Sequence, residues 1–285
     1  ALVIMETLSD FGAVEHFAIA TFTTGIFRTW YGMYDLNTAM QLASLLLIFV
    51  TIFLVFERLS RKKAAFVSSN SLYKKHKVIK LKGSYSFFAM LFCLIPVFIG
   101  FILPIIELIN WTINYKLDFF NRDFLKSSFN SLLLALITAF LCTIIAFLIN
   151  FTARYQGNKL LSFLSSTLML GYAVPGLILA IGITQLLIII DNSFNLFKID
   201  IVLTGSLIGL IIAYIIKSYA LSNSTIESGF QRVSNSLDDV SKTLNISGIK
   251  LMYKIHFPLL RTGLLNSILI VESEVIKEWP ATFIL

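Results

Sequence analysis

Charge is what this sequence has least of. Only 14% of its 285 residues are Asp, Glu, Lys or Arg, against about 25% in a soluble globular domain. That is too little to solvate an ordinary protein surface. Cysteine is nearly absent as well. Cys93 and Cys142 lie inside apolar runs, where a thiol behaves as a small hydrophobe. Two such thiols exclude a disulfide framework and a zinc-type ligand set. The three histidines, His16, His76 and His256, are scattered and read as no metal set. No Gly-rich loop ending in Lys and Ser/Thr occurs, so no nucleotide cradle and no bound cofactor are expected. The net charge of +7 is gathered beside apolar runs, which marks membrane orientation rather than a nucleic-acid surface.

What is abundant is apolar. Hydrophobic residues make up 57% of the chain, with 26 phenylalanines, and the mean hydropathy is +0.83. The runs predict an all-α fold, a polytopic transmembrane helical bundle in contact with lipid. Residues 1–20 read as the end of a span and TFTTG at 21–25 as an irregular outer segment. Complete spans are expected at 39–56, 85–109, 127–150 and 201–221. A further one at 160–190 is too long for one straight crossing, and a last one starts near Gly263. Within 160–190, GYAVPG at 171–176 predicts a bend, with Gly171, Pro175 and Gly176 as a packing kink or a gate. Lys217 is expected to extend to the inner interface. Lys/Arg excess places 58–82, 151–159 and 222–262 on the cytoplasmic side.

The chain is organised around the polar stretch 222–262. From Ser236 to Leu244 the spacing predicts an amphipathic helix, with Leu237, Val240, Ser241 and Leu244 on one face. Asn245 and Gly248 break it. A second short segment, 249–257, is expected to end at Pro258. Elsewhere, Glu6 and Asp10 near the start match Glu274 and Glu278 near the end. Each pair is spaced i, i+4 and is followed by an aromatic and a helix breaker. Carboxylates at a span end are costly and usually face protein or water. Two readings stay open: a cation-friendly outer vestibule of hard oxygens, or interfacial residues paired with Arg28 and Lys277.

Residues 239–258 resemble the cytoplasmic loop of binding-protein-dependent ATP-binding cassette importer permeases, whose motif is Glu-Ala-Ala, three residues, Gly, nine residues, Ile-x-Leu-Pro. Asp239, Val240 and Ser241 take the first places and Asn245 the Gly place. Ile255, His256, Phe257 and Pro258 complete the spacing. METLSDFGAVEHF at 5–17, YAVPGLILAIGI at 172–183 and VIKEWPATFIL at 275–285 resemble the iron(III)-type permeases, which fuse two six-span halves. The resemblance implies the MetI-like permease fold. Residues 1–57 would end the first half with its last two spans, the first truncated. Residues 58–82 would be a basic cytoplasmic linker, and 83–285 a second half lacking its final span, so the chain is expected to be a fragment.

The same resemblance implies a cytoplasmic ATPase dimer that uses the ATP and an extracytoplasmic solute-binding protein. It implies a coupling loop of Leu237, Asp238, Asp239, Val240, Ser241, Leu244, Asn245, Gly248, Ile255, His256, Phe257 and Pro258, with His256 facing the partner. Asp239 is expected to cap a helix or pair with a basic residue of the ATPase. Permeases for sulfate, a polyamine or thiamine, an ion-driven transporter and a membrane scaffold are the competing readings.

Overall fold

A bilayer core offers no water to backbone N–H and C=O groups, so apolar runs of this length must fold as helices. The computed structural model describes residues 7, 10–63, 81–115, 121–157, 159–196, 202–278 and 282, and these hold helices and short connections with no strand. The chain divides into two compact units, residues 1–63 with 129–285, and residues 64–128. Five helices among the described residues are long and apolar enough to cross a membrane. The basic stretch 64–80, Glu6, His76 and the Trp279–Ala281 segment lie outside the described residues.

The first unit opens with α1 (Gly12–His16) and α2 (Phe22–Phe27), the latter continued by a π turn at Arg28–Gly32. TFTTG is therefore helical rather than irregular. Thr21 caps α2: its amide donates to Thr24 Oγ1 at 2.8 Å and its own Oγ1 accepts from the Thr24 amide. Such reciprocal bonding satisfies two donors that a helix start leaves open. Helix α3 (Leu36–Lys63) follows. Its Ala39, Ala43, Leu46 and Val50 pack on Ile26 of α2.

The second unit carries α4 (Ser84–Val97) and α5 (Leu103–Asn114), joined without interruption by a π turn at Phe98–Ile102. None of their residues is buried within this unit.

Helix α6 (Arg122–Gln156) leads back into the first unit. The expected long span is two helices, α7 (Lys159–Leu168) and α8 (Gly176–Leu196), separated by a 3₁₀ turn at Met169–Ala173. Leu177, Ile178 and Ile181 of α8 close the cluster on α3. Helix α9 (Leu207–Arg232) runs well past the expected end near Leu221. It continues because its buried face does: Ser222, Asn223, Ile226 and Phe230 are all covered. The polar members of that face have partners. Ser222 Oγ meets Ser267 Oγ at 2.7 Å, and Ser267 meets Thr143 at 2.9 Å. Asn223 Oδ1 accepts from Asn150 Nδ2 at 2.8 Å and from the Tyr219 hydroxyl at 3.2 Å.

Beyond α9 come α10 (Asn235–Thr243), α11 (Gly248–Leu251), a π turn at Met252–His256 and α12 (Phe257–Lys277). Pro258 does not end a segment, contrary to the sequence expectation. The π turn widens the helix just before it, and α12 continues through it. A proline ring clashes with the carbonyl four residues back, and a widened turn relieves that clash. Pro104 sits in the same place after its own π turn. Helices α6, α9 and α12 share a core. Ala135, Ala139 and Cys142 of α6 are small enough to let Leu210 and Tyr214 of α9 and Val271 and Val275 of α12 approach closely.

The bend at 171–176 is fastened to α9. Val174, forced extended by the following Pro175, has ψ 127° and leaves its carbonyl outside the helix ladder. Lys217 Nζ donates to that carbonyl at 3.0 Å. Lys217 is 6% exposed, so it does not extend to the interface as expected; it stays inside, where a freed acceptor needs it. At Gly171 an added Cβ would sit 2.2 Å from the Ile216 carbonyl oxygen. Gly182 on α8 has nothing within 4 Å of the same construction. Gly171→Ala is therefore expected to cost at least ~2 kcal/mol through overpacking. Gly182→Ala should stay within about 0.5 kcal/mol. Thermal unfolding of the detergent-solubilised protein, followed by size-exclusion chromatography, compares the two; equal melting points would refute the close contact.

Candidate functional site

The polar stretch between α9 and α12 folds back on the ends of α6 and α9, and one side chain holds it there. Arg154, in the last turn of α6, donates from Nε to Asp238 Oδ2 at 2.7 Å. Its Nη1 donates to the carbonyls of Phe230 at 2.8 Å and Val233 at 2.9 Å. Its Nη2 donates to the carbonyl of Ser234 at 3.0 Å. These carbonyls lie at the end of α9 and in the joint after it, where the Phe230 and Ser234 carbonyls also accept from the Val233 and Leu237 amides, and a guanidinium there meets the negative end of the helix dipole. The contact puts residues 154 and 238 at the same end of the bundle.

Asp238 lies in the first turn of α10 and is shared. Its other oxygen is 2.9 Å from His256 Nε2. His256 is 1% exposed and lies between the rings of Phe151 and Phe230, with centroids 5.5 and 5.4 Å away. It was expected to face a partner; it faces the protein instead, because the Asp238 carboxylate and two aromatic rings enclose it. Burial holds the imidazole below the usual histidine range, and the Arg154 charge works in the same direction against the pull of Asp238. The neutral ring donates Nε2–H to Asp238 and keeps Nδ1 bare, and that atom is buried without a partner.

The same ion pair sets the rotation of α10. Leu237 and Asp238 are half-buried and Ser241 is buried, its Oγ donating to the Leu237 carbonyl at 2.6 Å. Val240 and Leu244, expected on that face, are 58% and 67% exposed. Asp239 is exposed, and its neighbour Asp238 is the carboxylate that meets Arg154 and His256. The helix closes at Asn245, whose φ is +57°. The Ile246 amide reaches the Ser241 carbonyl at 2.9 Å, a six-to-one closure that calls for a left-handed residue, usually Gly and sometimes Asn. Gly248, at φ +56°, turns the chain again. Ile255 is half-buried, while Phe257 and Pro258 are exposed. Val240, Leu244, Ile249 and Tyr253 thus present apolar surface on an otherwise polar segment.

Among the described residues, Asp10, Glu274 and Glu278 form no group that could hold a metal ion. Glu6 lies outside the described residues. Asp10 accepts from the Ala13 amide at 3.2 Å. Glu274 is buried and 2.7 Å from Lys277 Nζ. Glu278 is half-buried beyond the end of α12, and Arg28 pairs with Glu15 at 3.5 Å. Among the described residues no three His, Cys, Asp or Glu side chains could share a metal ion. Arg154 was read from sequence only as a mark of sidedness. Its one detectable signal was an arginine closing a span at the end where Asp238 also falls.

Acidification should loosen this region. The folded-state pKa of His256 lies below its unfolded value of about 6.5, so below that pH the unfolded segment binds more protons and stability falls. Amide hydrogen exchange of residues 235–258, corrected for intrinsic rate, should lose protection from pH 7.5 to 5.5, while α8 keeps its own. Unchanged protection at 235–258 would contradict the neutral buried imidazole.

Residues 150–281 match the family described as binding-protein-dependent transport system inner membrane component. Over its whole length the chain is 24% identical to the Fe(3+)-transport system permease protein FbpB 2 of Haemophilus influenzae. It spans 55% of that protein, so it covers about half of its relative's length. Over 173 residues, 56% of this chain and 23% of the relative, it is 29% identical to the ferric transport system permease protein FbpB of Actinobacillus pleuropneumoniae. The segment that carries the Arg154 clamp thus lies within the part of the chain that matches the binding-protein-dependent transport system inner membrane components, and the chain, with no strand among its described residues and five helices there long and apolar enough to cross a membrane, is similar to the iron(III) permeases named above.

Proposed function

We propose that this chain forms membrane-spanning pathway in an ATP-binding cassette importer for ferric iron. Support comes from two sides. Both relatives are by name iron(III) permeases, which favours ferric iron over sulfate, a polyamine or thiamine. The family match covers the segment in which α10 is held against the bundle by its polar face and shows its apolar residues outward.

In this reading an extracytoplasmic binding protein delivers the solute, and a separate cytoplasmic ATPase dimer supplies the energy, since no phosphate loop occurs in this sequence. Residues 58–82, 151–159 and 222–262 face the cytoplasm. Val240, Leu244, Ile249 and Tyr253 enter a cleft of the ATPase, with Asp239, Gly248, Phe257 and Pro258 around them. Leu237, Asp238, Ser241, Asn245, Ile255 and His256 keep the shape of the segment. Closure of the ATPase dimer moves α10 as a rigid body and tilts the helices attached to it. The observation that carries this is the outward exposure of Val240 and Leu244 on a helix whose other face is anchored.

Truncating central apolar anchors of an interface typically costs about 2 kcal/mol or more. Val240→Asp with Leu244→Asp in the full-length protein should therefore cut ATPase co-purification on the order of tenfold or more. Ferric uptake into proteoliposomes holding the ATPase and binding protein should fall with it. Retained capture by the double variant would overturn the docking surface, and robust uptake of another solute without ferric iron would overturn the substrate.

A further inference from the structure

The proposed coupling needs α10 to move together with the spans, and the backbone alone does not provide that. Only Val233 and Ser234 separate α9 from α10, and Val233 is extended, with ψ 120°. Such a joint lets a short helix swing. On its other side α10 runs into Leu244–Gly248, where Asn245 and Gly248 both have positive φ. A push on α10 would be absorbed at these two joints unless something bridges them.

Arg154 is that bridge. It stands on α6, binds the carbonyls on both sides of the first joint, and holds the carboxylate of Asp238 in the first turn of α10. Asp238 passes the connection to His256, which directly precedes α12. One guanidinium therefore ties the ends of α6, α9 and α10, and through one carboxylate it reaches α12. The phenyl rings of Phe151 and Phe230, which enclose His256, come from α6 and α9 and close the same knot. The planar fork is essential to this arrangement. Four acceptors in three directions suit a guanidinium, whereas an ammonium is a point donor on a flexible stem.

We propose that Arg154 is a positioning residue for transport, the strut that turns displacement of α10 into displacement of the inner ends of α6, α9 and α12. This rests on the reading that a cytoplasmic ATPase drives the 232–258 segment. It adds the claim that the driven segment does not transmit without Arg154.

The test uses the full-length permease with its ATPase and binding protein in proteoliposomes, and Arg154→Lys and Asp238→Asn as variants. Two quantities are read: ATPase retained on the purified permease, and ferric iron moved per ATP hydrolysed. With hydrogen bonds to charged groups lost from the strut, Arg154→Lys should lower iron moved per ATP on the order of tenfold in complexes that still hold the ATPase. Asp238→Asn keeps the size and one acceptor oxygen and should lower it about threefold. A purely structural role would reduce the yield of complex and leave iron moved per ATP unchanged in what assembles. That result in either variant overturns the strut. Should Arg154→Lys fail to assemble, Asp238→Asn decides alone by the same ratio. Failure of the docking reading is distinguishable, because the unaltered permease would then capture no ATPase.

Discussion

Backbone groups released where a helix breaks inside this protein need partners from within, and at three breaks among the described residues a charged side chain supplies one. Lys217 takes the carbonyl of Val174 at the break between α7 and α8. Arg154 takes three carbonyls where α9 gives way to α10. Asp191 accepts from the amides of Leu203 and Thr204, at 2.8 and 2.9 Å, where the chain enters α9. A buried unsatisfied peptide group costs about 1–3 kcal/mol in a protein interior and more where no water can reach it. A charged group without a partner costs more still. Each pairing satisfies the backbone group and the charge together, which is why Lys217, Arg154 and Asp191 stand where they do.

This arrangement explains why the bundle can be interrupted without becoming loose. The break at Gly171–Pro175 is pressed against the backbone of α9, with no room for a Cβ at Gly171. The joint at Val233–Ser234 is bridged by a guanidinium. Shape change in packed helices proceeds by movement of rigid elements about a few joints. The two fastened breaks are where such elements meet. One is fastened to α9 by Lys217 and the other to α6 by Arg154. The small residues of α6, the hydroxyls of Thr143, Ser222 and Ser267, and the apolar cluster of Phe147, Ile226, Phe230 and Leu260 hold the helices together.

Much of this was legible from residues alone. Long apolar runs with few charges admit only helices, so the class of fold and the position of most spans followed from composition and length. Pro175 before Gly176, with Gly171 four residues earlier, announced the break, and the spacing from Asp239 to Pro258 resembled that of the importer permeases. The misreadings have a common cause. Ser222 and Asn223 looked like the start of a loop because polar residues are costly in a bilayer; their partners on α6 and α12 are remote in sequence. Pro258 looked like a helix end because a π turn leaves no composition signature. Lys217 looked destined for the interface and His256 for a partner, since neither the Val174 carbonyl nor the Asp238 carboxylate is near in sequence.

The amino-acid order by itself determined that the chain is helical, that it crosses a membrane several times, and where the helices must bend, because these depend on local chemistry: hydropathy over some twenty residues, proline geometry, glycine freedom. Only the tertiary structure decided which way α10 faces and what holds it. That depends on Arg154 lying 84 positions from Asp238 and yet within hydrogen-bonding distance, and distances between remote residues are set by the packing of whole helices rather than by any local pattern.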